Sequence, residues 1–252
     1  PYDYRQHKGG VANILDELGE FSAYQTGGWD ALSPQAQQRI NHLRSINTDW
    51  NDILFRDVLN QEYNVSLSGG SDKAHYYASA GYYTEQGTVK GVENNRYNLT
   101  LKTDFKLNKI LTVGASVFAN QRNQKSYMTD GGGFTNPVYY SRMANPYFEP
   151  YDALGNYIYD TNVQGRESEA PDFNIFEERG NTAKERKDRS FMAIFDAEFK
   201  FNSHLKLTTQ YGLQHDNYTL TRYAGHDSYA MRKTKEYATF IVDGVRKSIL
   251  PD

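Results

Sequence analysis

Residues 96–107 read RYNLTLKTDFKL, and this stretch decides the fold. Tyr97, Leu99, Leu101, Thr103, Phe105 and Leu107 take one parity; Arg96, Asn98, Thr100, Lys102, Asp104 and Lys106 take the other. Side chains of a β-strand point alternately to opposite sides, so period two with apolar and polar positions separated marks a strand wet on one face only. The pattern recurs outward in both directions. Tyr63, Val65 and Leu67 alternate with Asn64, Ser66 and Ser68, and Ala74, Tyr76, Ala78, Ala80 and Tyr82 with His75, Tyr77, Ser79 and Gly81. Leu111, Val113, Ala115, Val117 and Ala119 form a fourth run, the series Phe191 to Phe201 a fifth, and Leu205, Leu207, Tyr211 and Leu213 a sixth. The expected strands are about 63–68, 74–83, 96–107, 111–121, 190–201 and 205–217.

Most of these runs approach the 9–11 residues that cross a bilayer at a tilt and exceed the usual soluble strand of about 5–6. Their connections alternate. Gly69-Gly70-Ser71-Asp72, Asn108-Lys109 and Asn202-Ser203-His204 read as tight turns. The second-to-third connection reads as about a dozen residues, and a long loop spans 123–189. Short turns at one end and long loops at the other are the asymmetry of an outer-membrane barrel, and rings near both ends of the apolar faces fit its aromatic girdles. The fold class is therefore all-β: about six strands of a large antiparallel transmembrane barrel, with long extracellular loops.

Composition agrees. Leu, Ile, Val and Phe make 51 of 252 residues, while Tyr alone contributes 21. That aliphatic share, about 20%, is low for a soluble core. The mean hydropathy is −0.78, as expected of strands that alternate lipid-facing and lumen-facing residues. A net charge of −3 argues against a nucleic-acid surface. No apolar run reaches the length of a membrane-spanning helix, and without cysteine there is neither a disulfide framework nor a thiolate metal site. A chain that starts at Pro1 without a signal pattern reads as a processed or excised piece.

Residues 1–60 read differently. Val11, Ile14, Leu15 and Leu18 follow helical spacing, Ser33-Pro34 is an N-cap followed by an N1 proline, and Trp50, Ile53 and Leu54 suit a third short helix. The expected organisation is thus a helical loop segment over 1–60 and barrel strands over 61–252, with a loop hairpin at 236–250 around Asp243-Gly244.

The stretch from Asn47 to Phe105 resembles the early barrel of SusC/RagA-type TonB-dependent outer-membrane transporters. The resemblance is carried by Asp49-Trp50, Ile53 to Arg56, Asn64-Val65-Ser66-Leu67-Ser68-Gly69-Gly70, Tyr76-Tyr77-Ala78-Ser79, Gly81-Tyr82, Glu85-Gln86-Gly87 and Arg96-Tyr97-Asn98-Leu99, in order and spacing. It implies a barrel segment of a bacterial outer-membrane importer of glycans or oligopeptides, not an enzyme and without a cofactor. Its implied partners are outer-membrane lipid, a SusD-like surface lipoprotein, the glycan or peptide substrate, and the TonB complex acting through an N-terminal plug that this chain does not show. It also implies an odd number of strands before residue 61, which puts residues 1–60 in an extracellular loop. The other reading of the residues is a soluble β-rich surface adhesin or glycan-binding module.

Two sets of candidate site residues follow. The expected lumen-facing polar set is Arg96, Asn98, Lys102, Asp104, Asp196, Glu198 and Gln210. The expected substrate-binding rings lie in the long loop: Tyr139, Tyr140, Tyr147, Phe148, Tyr151, Tyr157 and Tyr159, since tyrosine-rich loops offer rigid amphipathic contact area. Other signals read as ordinary structure. Asp152, Asn156 and Asp160 miss calcium-loop spacing and read as a turn, Gly131-Gly132-Gly133 lacks a phosphate-loop context, and six scattered His hold no i, i+4 metal pair. Asp196 and Glu198, two apart on one strand, line a wet face rather than form a glycosidase pair.

Overall fold

The computed structural model describes residues 10–129, 133–159, 173–232, 239–242 and 245–248. Six strands form one antiparallel meander in chain order: β1 (Gln61–Gly70), β2 (Ala74–Gln86), β3 (Glu93–Lys106), β4 (Leu111–Ser126), β5 (Thr182–Lys200) and β6 (Lys206–Ala224). A separate two-stranded ribbon pairs β7 (Thr239–Val242) with β8 (Val245–Ser248). Asp243 and Gly244, the expected hairpin turn, lie outside the described residues.

The register turns period two into rows. Leu67, Ala78, Leu101, Val117 and Ala193 stand side by side across five strands; Val65, Ala80, Leu99, Ala119 and Phe191 form the next row. On β3 the apolar parity runs from Tyr97 to Leu107, one residue past the strand's end and ten residues apart, or about 33 Å along the chain at 3.3 Å per residue. A tilt of about 40° reduces that to a band about 25 Å high, the height of a barrel's lipid-facing belt.

That face is bare. Val65 is 70% exposed, Leu101 41% and Phe195 49%, and Ala193 is the only buried hydrophobic residue described within the six strands. The sheet therefore has no core of its own. Among the described residues nothing pairs with the outer edges of β1 and β6. A long open-edged sheet with one continuous apolar face is an aggregation hazard in water. In a barrel wall, neighbouring strands cover the edges and lipid covers the face.

The strands differ from expectation at one end. β4 reaches Ser126, β5 begins at Thr182 rather than 190, and β6 continues to Ala224. Lys184 to Arg189 looked like loop because charges occupy both parities; ladder bonds continue there because a strand beyond the apolar band can be wet on both sides. The second-to-third connection shrinks accordingly from a dozen residues to 87–92.

The described residues that fall within 1–55, 128–182 and 223–252 belong to a second compact unit. It contains α1 (Val11–Glu17), α2 (Phe21–Gly27), α3 (Pro34–Ser45), α4 (Trp50–Leu54), α5 (Pro137–Met143), α6 (Ile175–Asn181) and α7 (Tyr229–Arg232). Ser33 caps α3 by accepting from Ala36 N–H, and Asp49 caps α4 through Asn51 and Asp52 N–H. One apolar cluster joins Leu15, Leu32, Ala36 and Ile40. The larger one draws Trp50 and Leu54, Tyr140, Phe173 and Ile175, and Tyr229 from three separate stretches.

Candidate functional site

The expected lumen-facing residues share the polar face of the sheet, and the register fixes their neighbours. Asn98 stands between Gly81 and Asn120 and accepts a hydrogen bond from the Asn120 side-chain amide. With Asn64 and Ser190 this makes a row of uncharged polar groups across five strands. Arg96 lies 3.8 Å from Glu62 and stacks over the Tyr83 ring at 5.3 Å. The ammonium of Lys102 sits 5.4 Å from the Phe118 ring centre. Asp104 and Asp196 flank Gly114 in register, and a Cβ there would collide with both carboxylates. Gly114 thus lets two acids lie over one strand. Glu198 is neutralised by Lys206 at 2.6 Å, and Gln210 is exposed on β6. Among the described residues no three ligand-type side chains group as a metal site.

The loop rings divide. Tyr140 is fully buried, edge-on to Trp50 (5.1 Å) and Phe173 (5.4 Å). Phe148 stacks on Trp50 at 5.9 Å, and the Trp50 indole N–H donates to the Asn145 carbonyl at 2.9 Å. These two rings pack the loop unit together; Tyr140 has no exposed surface in this arrangement, and Phe148 is half-buried. Tyr159 is half-buried: its hydroxyl donates to Glu177 at 2.9 Å, and Arg232 lies over its ring at 5.7 Å. Tyr147 is half-buried, and burial raises its phenol above the usual range. Tyr139, Tyr151 and Tyr157 remain exposed. Tyr151 and Tyr157 bridge a tight turn and pair their rings at 5.5 Å. Within that turn Asp152 accepts from the Leu154 and Asn156 N–H groups and the Asn156 amide. The Asn156 side chain foremost holds the Asp152 carboxyl below its ordinary range, so it works as a turn residue; Asp160 lies outside the described residues, as do Gly131 and Gly132.

A buried charged group in the loop unit was not foreseen from sequence. Glu177 and Arg232 pair at 2.8 Å with both side chains buried. Glu178 accepts from the Tyr229 N–H, and desolvation drives its carboxyl above the ordinary range against that bond. Breaking such a pair leaves an uncompensated buried charge, so it ties α6 to α7 within the loop unit. Asn174 caps α6 through Phe176 and Glu177 N–H, and Asn136 caps α5 through Val138 N–H ahead of Pro137; both lie within the stretch expected from sequence to be long loop.

No family model matches the chain. It is 31% identical over 142 residues to TonB-dependent receptor P39 of Formosa agariphila, an alignment covering 56% of this chain and 13% of that protein. TonB-dependent receptor P3 of the same organism is 26% identical over 219 residues, covering 84% and 20%. TonB-dependent receptor SusC of Bacteroides thetaiotaomicron is 27% identical over 154 residues, covering 57% and 14%. The chain thus spans a fifth or less of these relatives. Among solved structures, the RagAB peptide importer in its closed-closed state superposes with a TM-score of 0.54 at 22% identity, covering 71% of this chain and 20% of that one. A further RagAB peptide transporter structure gives 0.55 at 17% identity, covering 87% and 27%.

Proposed function

Because the chain is a segment of a SusC/RagA-type TonB-dependent receptor, we propose that it forms part of the wall and surface loops of a bacterial outer-membrane importer. The observation that carries this reading is the continuous exposed apolar face, ordered in rows about 25 Å high. A soluble adhesin would have to cover that face with a second layer, and among the described residues the six strands carry no such core.

In this reading the apolar rows meet lipid and the Asn64–Ser190 row lines the water path. Long loops at the other end of the strands meet the medium. Substrate is a glycan or oligopeptide, held first by the exposed rings Tyr139, Tyr151 and Tyr157 and enclosed by a SusD-like surface lipoprotein. TonB, pulling on a plug domain elsewhere in the full-length receptor, opens the path inward. The chemistry is binding and passage, with no bond made or broken.

Cells that depend on the full-length receptor are expected to take up labelled oligopeptide or oligosaccharide only when TonB is present. The combined change Tyr139→Ala, Tyr151→Ala and Tyr157→Ala is expected to raise the half-saturating concentration about tenfold, equivalent to about 1.4 kcal/mol of capture, with the maximal rate unchanged. Uptake that ignores TonB would contradict an importer. Unchanged half-saturation would assign the exposed rings to loop packing.

A further inference from the structure

On the apolar face, near the long-loop end, two depressions meet at one side chain. The first, about 730 Å³, lies between the Tyr63–Tyr82–Tyr97 row and the Val65–Ala80–Leu99–Ala119 row, with Arg189 at its rim. Ala80 and Ala119 make it deep. The Asn64–Gly81–Asn98 row contributes its floor, and the space over Gly81 on the opposite face is filled by the Asn64 side chain, so the hollow opens on the apolar side. The second depression, about 460 Å³, continues past Arg189 among Lys187, Lys125, Glu93, Glu185 and Thr219. These residues, Arg189 included, carry the odd parity of the apolar face, beyond the last apolar row. The lower hollow is apolar and the upper one is polar with a cationic rim. Gln121 holds Arg189 between them, accepting from its Nε–H at 3.2 Å.

We propose that this pair of hollows is a specific binding site for an acylated, phosphate-bearing lipid of the outer leaflet, an inference that rests on the reading of this face as lipid-facing. An acyl chain fills the groove over Ala80 and Ala119. Its phosphate meets Arg189 and Lys187, where a fixed guanidinium fork suits a phosphate. Glu93 and Glu185 accept from headgroup hydroxyls, which selects a hydroxylated headgroup over a quaternary ammonium one. The junction sits at the edge of the apolar band, the depth at which acyl chain gives way to headgroup. Charge thus distinguishes this patch from the rest of the belt, where rows such as Leu67–Ala78–Leu101–Val117–Ala193 carry no cation.

The full-length receptor, purified in a non-ionic detergent and titrated with lipid under native mass spectrometry, tests it. Phosphatidylglycerol is expected to bind at least tenfold more tightly than phosphatidylcholine with the same acyl chains. Arg189→Gln with Lys187→Gln should erase that preference, and Ala119→Trp should weaken both lipids by filling the groove. No headgroup preference in the native receptor, or a preference untouched by Arg189→Gln with Lys187→Gln, would overturn the site and leave only annular lipid. Heat-modifiable barrel assembly of Leu101→Arg, measured alongside, separates the two readings. If it is impaired while lipid selectivity is absent, the lipid-facing wall stands and only the site fails; if it is normal, the wall itself is wrong.

Discussion

Leu101→Arg in the full-length receptor is expected to cut the yield of heat-modifiable barrel sharply, while Ser116→Arg leaves it near the native level. Leu101 stands in the row of Leu67, Ala78, Val117 and Ala193, well inside the apolar band. A cation on the lipid face at mid-bilayer costs about 2–4 kcal/mol, a large fraction of the roughly 5–15 kcal/mol by which a fold is stable. Ser116 pairs with Lys102 on the opposite face, where charge is already accommodated in water. Val117→Arg should behave like Leu101→Arg, because the two are cross-strand neighbours. Equal defects from both faces, read as unshifted bands on a gel, would remove the facing assignment.

Trp50→Ala is expected to open the loop unit without dissolving the barrel. The indole is 4% exposed, packs between Tyr140 and Phe148, and donates to the Asn145 carbonyl. Truncating a buried Trp costs about 3–5 kcal/mol, and the orphaned carbonyl adds to it. At about 1.4 kcal/mol per tenfold, the open population rises at least a hundredfold. Limited proteolysis on intact cells should then cut near α5 and α6 far faster, with the barrel band still heat-modifiable. Native-like cleavage rates would mean that the Trp50 cluster does not hold these three stretches together.

The sheet was legible in the sequence because one physical constraint, wet on one side and apolar on the other, writes itself as period two. That constraint ends with the apolar band, so the ends of β4, β5 and β6 were not legible: Lys184 to Arg189 carry charges on both parities, and ladder bonds leave no compositional trace. The loop unit was hidden for a different reason. Its core collects residues near 50, 140, 173 and 229, in or beside helices of seven residues or fewer, too short to write a full apolar period in the sequence. The same separation explains the rings. Tyr140 and Phe148 look like Tyr139 and Tyr151 in composition, and only the fold shows that the first two face Trp50. Glu177 and Arg232 resemble surface charges until α6 and α7 are brought together.

The central claim is that a membrane lies across the apolar rows, with the long connections on the outer side, and single thiols test it directly because the segment contains no cysteine. Leu154, 88% exposed at the tip of its turn, lies in the long connection between β4 and β5. Lys109 and Ser203 lie in the tight turns after β3 and β5, at the opposite ends of the strands and about 25 Å across the apolar belt. A bulky thiol reagent that does not cross the outer membrane should label Leu154→Cys on intact cells. Lys109→Cys and Ser203→Cys should react only after permeabilisation. Labelling of all three on intact cells would show that no membrane separates the two ends of the sheet.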